Sequence, residues 1–382
     1  MAGVVWETTR VGRKPGKTVT RVKTKKPKTT TTKTRKEAAA QPLERTRVTL
    51  RFLADQLGLS PASISLVLNR APAAEAIPKA TQERIVAAAE RFNYRANTIA
   101  KSLRRQRSFT IGVLVPEISE GYASLVMSGI EDHLLQAGYL YFVASHRHRE
   151  DLIDEYPKLL LARAVDGLIA IDTPCTRPLP VPVVAVSGHR HIDGVTNIVL
   201  NHERAAFLAL DHLKTLGHRR IAFIKGQAFS SDTAIRWRAI RVAAKRLGLP
   251  IDPTLVTQLE GDSPSPDLGY HLTKRLVMER FTALFAFNDI SAIGAIRALR
   301  ESGRRVPDDV SVVGFDDIQA AAYQNPALTT VRQPLRRMGE LAAQTLTSRV
   351  ESGPAAPHPR TIHVDPELIV RETTAPATST SR

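Results

Sequence analysis

The chain has one cysteine, Cys175, in 382 residues. No intrachain disulfide is possible, so packing alone must hold the fold, as suits a reducing cytoplasm. No histidine or helix start adjoins Cys175 to activate it, so thiol chemistry is not expected there. Long apolar runs are missing too: none reaches the roughly 18 residues of a membrane span. The basic N-terminal region has no apolar segment behind it, so a secretory leader is not expected. The signatures G-x-G-x-x-G, phosphate loop and G-x-S-x-G are all absent, which argues against an enzyme. The histidines of SHRHR (His146, His148) and SGHRH (His189, His191) alternate at i, i+2. No fixed cysteine or carboxylate accompanies them, so neither metal nor cofactor is expected.

What is present is an ordinary globular composition, 43% hydrophobic and 24% charged, long enough for two or three domains. The net charge of +17 is unevenly placed. Residues 1–47 hold 14 Lys/Arg against 3 Asp/Glu, residues 48–107 hold 10 against 4, and residues 108–382 hold 30 against 30. A basic head on a neutral body is the footprint of a polyanion binder. Residues 1–47, with KTKKPKTTTTKTRK at their centre, lack apolar periodicity and read as a disordered tail. Such a tail either adds non-specific phosphate affinity or is idle.

Val48–Asn69, VTLRFLADQLGLSPASISLVLN, reads as helix, turn and helix. Thr49 can cap the first helix, whose Leu50, Leu53, Ala54 and Leu57 share one face. Gly58 ends it, Leu59 fills the turn, Ser60 caps the second helix and Pro61 takes its first position. Ile64, Val67 and Leu68 make the second helix's buried side, leaving Ala62, Ser63, Ser65, Leu66 and Asn69 outward. A helix-turn-helix places its second helix in the DNA major groove. An Ala/Pro loop, Arg70–Pro78, leads to a third helix with Thr81 as cap and Ile85, Ala88, Ala89 and Phe92 as stripe. Residues 95–108 are short, basic and weakly apolar, able to fold only against a partner or DNA. From Phe109 strands and helices alternate, predicting two consecutive doubly wound units with a ligand cleft at the strand ends. RTIHVDPELIV reads as the last strand and Thr373–Arg382 as a frayed tail.

From about Val48 to Arg371 the chain resembles the LacI/GalR family of bacterial transcription repressors. The resemblance rests on the helix-turn-helix, on IPKATQERIVAAAERFNYRANTIAKSLR and on LGHRRIAFIKG. It continues in ALFAFNDISAIGAIRALRESGRRVPDDVSVVGFDD and NPALTTVRQPLRRMGELAAQTL, in the family's order and spacing. It implies an all-α head at 48–94, a hinge at 95–108 and an α/β periplasmic-binding-protein-like core of two lobes at 109–371. It also implies a homodimer or tetramer on palindromic operator DNA, controlled by a small molecule.

The resemblance makes Asn97, Ala100, Lys101 and Leu103 hinge contacts, with Leu103 as a minor-groove wedge or else a packing residue. The base-reading positions match Pro61, Ala62 and Leu66, none of which hydrogen-bonds a base edge. Ala62 and Leu66 could touch thymine methyls. Leu50 joins them as a candidate contact, while Thr49, Ser60, Ser63, Ser65 and Asn69 could hold phosphates. Much of the specificity should then come from apolar contact and DNA deformation.

In the core the resemblance assigns Tyr122, Ser187, Arg236, Asn288, Asp289, Asp316 and Gln333 to the effector. Asn288, Asp289 and Asp316 could equally cap the helices that follow them. An arginine, amides and carboxylates at strand ends suit a hydroxyl-rich or partly anionic ligand, with sugars the usual family case and purines an occasional one. A solute-binding protein would share the core but not the head. A nucleoid-coating protein would ignore small molecules.

Overall fold

The computed structural model describes residues 48–94, 107–118, 121–261, 265–353 and 356–378. They fall into a head and a core, with the boundary between Ala96 and Asn97. The basic tail 1–47 and the hinge positions Asn97, Ala100, Lys101 and Leu103 lie outside the described residues.

In the head, α1 (Leu50–Leu57) begins where Thr49 Oγ1 accepts the Phe52 amide at 3.2 Å. It stops at Gly58, whose φ of +64° strains any residue with a side chain. α2 (Pro61–Leu68) starts where Ser60 Oγ accepts the Ser63 amide at 3.0 Å. α3 (Lys79–Arg91) begins earlier than the sequence suggests: Pro78 precedes it, no side chain caps it, and Thr81 sits inside its first turn. The expected loop before it contains a 3-10 turn, Pro72–Ala76. Gln82 Nε2 fastens that turn by donating to the carbonyls of Ala74 (2.9 Å) and Ile77 (2.8 Å). Each helix gives one fully buried aliphatic side chain, Leu53, Ile64 and Ile85. Each such burial contributes about 1.5–3 kcal/mol.

The core has two six-stranded sheets. The first joins β1 (Thr110–Val115), β2 (Leu140–Ser145), β3 (Gly167–Ile171), β4 (Val183–Val186), β5 (Val195–Leu200) and β11 (Thr361–Val364). Its order is β11-β5-β4-β3-β1-β2, all parallel. The second joins β6 (Ile221–Lys225), β7 (Val256–Gln258), β8 (Ala283–Ala286), β9 (Ser311–Asp316), β10 (Thr329–Arg332) and β12 (Glu367–Ile369). Its order is β12-β10-β9-β8-β6-β7, with β12 antiparallel to β10. Central strands β1, β3, β4, β5 and β9 are buried along their whole length, as sheets covered by helices on both faces require.

The lobes are interleaved rather than consecutive. Helices α4 (Gly121–Gln136) and α5 (Glu150–Leu161) cover the first sheet. After β5 the chain crosses, and α6 (His202–Thr215) packs on β10 and β12 of the second lobe beside α7 (Ser231–Leu247). Helices α8 (Pro266–Leu276), α9 (Asp289–Glu301) and the short α10 (Gln319–Tyr323) complete that lobe. At Gln333–Pro334 the chain returns, and α11 (Leu335–Ser352) packs on α4 and the first sheet. Glycines allow this close crossing: a Cβ on Gly129 would strike the Arg336 backbone, and one on Gly339 the Val126 backbone. RTIHVDPELIV is therefore two strands in two lobes, joined by a third crossing at Asp365–Pro366.

The C-terminal segment is a strap rather than a frayed end. Thr373 is fully buried, accepting from the Thr329 amide at 2.8 Å and donating to Val312 O at 2.7 Å. Ala377 N reaches Leu216 O at 2.7 Å, so the core runs beyond 371.

Candidate functional site

Strand ends from both lobes line one cleft cavity. Glu117 follows β1 and Asp172 follows β3. Phe287 and Asn288 follow β8, and Asp316 ends β9. Asp172, Ser187 and Asp316 hold φ angles of +37°, +58° and +111° at these ends. Such backbone costs on the order of 1–3 kcal/mol per residue and clusters where ligands bind.

Arg236, on α7, is the central side chain. Its guanidinium lies 3.7 Å from the Phe315 ring centroid and 4.3 Å from that of Phe287. Nη1 donates to Phe287 O at 2.5 Å and Nη2 to Asp232 Oδ2 at 3.1 Å. Asp232 Oδ1 is 2.6 Å from His189 Nε2 and 3.3 Å from His202 Nε2. Burial opposes the Asp232 charge, but the imidazoles and Arg236 prevail and hold its carboxyl well below the usual range. Burial in turn lowers the basicity of His202, against the pull of Asp232.

Asp316 behaves oppositely. Burial, reinforced by Asp289, pushes its carboxyl well above the usual range, although Arg236 and Gln333 favour the charge. Gln333 Nε2 donates to Asp316 Oδ1 at 2.6 Å. Asp289 lies beneath, pushed up to about 7 by burial. It accepts from Thr330 Oγ1 at 2.5 Å and from the Ile318 amide at 2.9 Å. On the first-lobe side, Tyr122 OH meets Ser187 Oγ at 2.6 Å, and burial raises the phenol well above its usual range. The His148 ring packs against Phe229 at a tilt of 38°, with centroids 4.1 Å apart.

Of the seven predicted effector residues, Tyr122, Arg236, Asn288 and Asp316 line the cavity. Asn288 also caps α9, its Oδ1 accepting the Ser291 amide at 2.9 Å. Ser187, Asp289 and Gln333 stand behind the wall and position it. Sequence reading missed Glu117, Asp172, Asp232, His148, Phe229 and Phe287. Asp172 was visible as the end of DGLIAID, whereas Phe229 sits in the aperiodic loop GQAFSSD. Cys175 lines a separate apolar cavity of the first lobe, its thiol pushed up to about 11 by burial.

In the head, Pro61 and Ala62 are exposed, while Leu50 and Leu66 are half-buried against the helical core. Thr49 and Ser60 are used as caps. Ser63 Oγ pairs with Ser60 Oγ at 2.9 Å, and Asn69 Nδ2 donates to Ser65 O at 2.7 Å.

Residues 210–374 match the family described as periplasmic binding protein-like domain. Over 335 residues the chain is 32% identical to the HTH-type transcriptional repressor PurR of Aliivibrio fischeri, spanning 85% of this chain and 97% of that protein. The PurR repressor of Haemophilus influenzae strain KW20 is 30% identical over 336 residues, spanning 85% and 98%. The chain belongs to the LacI/GalR family.

Among solved structures of this LacI/GalR type, the lac repressor dimer bound to operator and the anti-inducer ONPF superposes with a TM-score of 0.76. It is 28% identical, spanning 86% of this chain and all of that one. The complex of the transcriptional regulator CelR with cellobiose gives 0.62 at 27% identity, spanning 85% and 99%. As a LacI/GalR member, the chain is an effector-controlled, DNA-binding transcriptional repressor. Its relatives are regulators rather than enzymes.

Proposed function

We propose that the effector is a neutral, hydroxyl-rich molecule of the sugar class, held between the lobes of a homodimeric, cytoplasmic repressor. The state of Arg236 carries this reading. Its positive charge is already balanced by Asp232 through Nη2 and Nη1 donates to Phe287 O, while the buried Nε has no partner. The other acidic side chains on the wall are Glu117, Asp172 and Asp316. Carboxyl and amide oxygens accept hydroxyl protons, whereas a phosphate would meet mostly like charge. Phe229, packed against His148 and lining the cavity, is an aromatic ring of the kind a pyranose covers. CelR, a structural neighbour, was solved with cellobiose.

The exposed edge strand β2 supports self-association, since Leu140 and Phe142 are 75% and 47% exposed. A second copy would cover that edge and present two heads to a palindrome. Exposed Pro61 and Ala62 leave α2 few hydrogen bonds to offer base edges, so shape and apolar contact should carry specificity.

The test is a thermal-shift screen of the full chain against sugars, sugar phosphates and purines, followed by operator binding at fixed salt. A neutral sugar should raise Tm and change operator affinity. Response only to phosphorylated sugars or purines would overturn the reading.

A further inference from the structure

His189 belongs to the loop after β4, His202 to the first crossing between lobes and Asp232 to α7. Their ligand atoms lie within 4.8 Å of one another, and all three side chains are largely withdrawn from solvent. Both imidazoles face the same carboxylate oxygen, Oδ1, because Arg236 holds Oδ2. His202 is 4% exposed, yet its Nδ1 has no hydrogen-bond partner and its Nε2, 3.3 Å from Oδ1, is out of line for one. A buried imidazole without aligned partners is costly unless something else uses its lone pair.

We propose that His189, His202 and Asp232 bind a divalent first-row transition metal of the zinc type, and that this metal ties the two lobes together. Two imidazoles and one carboxylate suit zinc or cobalt rather than calcium or magnesium, which prefer all-oxygen shells. At bonds of about 2.0–2.2 Å, ligand atoms around a tetrahedral ion stand roughly 3.3 Å apart. His202 and Asp232 already have that spacing, and the His189 contact at 2.6 Å needs to open by less than an ångström. Arg236 adds positive charge beside the ion, and the acidic side chains Glu117 and Asp172 on the adjoining wall offset it. Asp232 also lines the cavity, so the remaining coordination position would face the effector.

The experiment is titration of chelator-treated, full-length protein with Zn²⁺ by calorimetry and thermal shift, with Ca²⁺ and Mg²⁺ as controls. The expected result is one Zn²⁺ per chain at this site, a raised Tm, and no response to the controls. His189→Ala and His202→Gln should each weaken binding at least tenfold to a hundredfold, with folding checked by circular dichroism. Equal binding by wild type and folded variants, or no binding at all, would overturn the proposal. Co²⁺ loaded into wild type gives a readout independent of the variants: intense visible bands mark a four-coordinate site and support it, and a pale octahedral spectrum sinks it. Binding is read directly, so failure here leaves the sugar reading standing, and failure of the sugar screen leaves this one standing.

Discussion

Ser231, at the start of α7, donates its hydroxyl across the cleft to Ser187 O, at 2.6 Å. The donor belongs to the second lobe and the acceptor to a positive-φ residue of the first. Ser231→Ala removes a bond that forms only while the lobes are together. A neutral hydrogen bond contributes about 0.5–1.5 kcal/mol, so effector affinity should weaken by roughly twofold to tenfold. Calorimetry with the sugar found by screening checks this; an unchanged Kd would mean that closure does not depend on the bond.

Arg236→Met should cost far more. It strips Asp232 of its cation, frees Phe287 O and empties the space over Phe315. Breaking one side of a buried ion pair typically costs about 3–5 kcal/mol. Urea unfolding should show a loss of that order, and Arg236→Lys a smaller one, because lysine keeps charge without the planar fork. A loss below about 1 kcal/mol would contradict the buried pairing.

His146 sets a pH dependence. Thr173 gives its own proton to Ile171 O at 2.7 Å, so its oxygen accepts from His146 Nε2 at 2.9 Å. Nδ1 accepts the His148 amide at 3.1 Å, which leaves no place for a second ring proton. Burial, helped by His148, lowers the pKa from 6.5 to about 4. In that window the unfolded chain binds a proton that the folded one refuses, so this contribution is full above pH 6.5 and fades as pH falls toward 4. Chemical unfolding across that range should give a shallower decline for His146→Gln than for wild type. Matching slopes would rule the residue out as the source.

The head separates reading from packing. Ala62 is exposed, so Ala62→Gln should shift operator preference in footprinting while stability stays within about 0.5 kcal/mol. Leu66 packs against the helical core, so Leu66→Arg should instead destabilise the head by about 1–3 kcal/mol. If Leu66→Arg keeps full stability and changes the footprint, the side chain faces DNA after all.

Phe142→Lys places a charge on the apolar edge of β2, where Phe142 is 47% exposed. Folding should survive, because the position faces outward. Sedimentation should show more monomer, and affinity for a palindrome should fall more than affinity for a half-site. An undisturbed dimer would put the interface elsewhere.

Much of this molecule was readable locally. Thr49, Gly58, Ser60 and Pro61 start and stop helices through contacts within a few residues, so the head's first two helices followed from spacing alone. The buried strands announced themselves as short apolar runs, and Arg236, Asn288 and Asp316 could be placed at the cleft from family motifs. Thr81 misled because hydroxyl chemistry marks a possible cap, while the turn fastened by Gln82 sets where α3 begins. Tertiary structure alone decided which lobe each strand joins, since RTIHVDPELIV splits between sheets over one Asp-Pro crossing. It also decided that Thr373 is a buried strap and that His189 finds a carboxylate 43 residues away. Periodicity and capping act over one or two turns of chain. Those three outcomes depend on which distant segments pack together, and no local pattern encodes that choice.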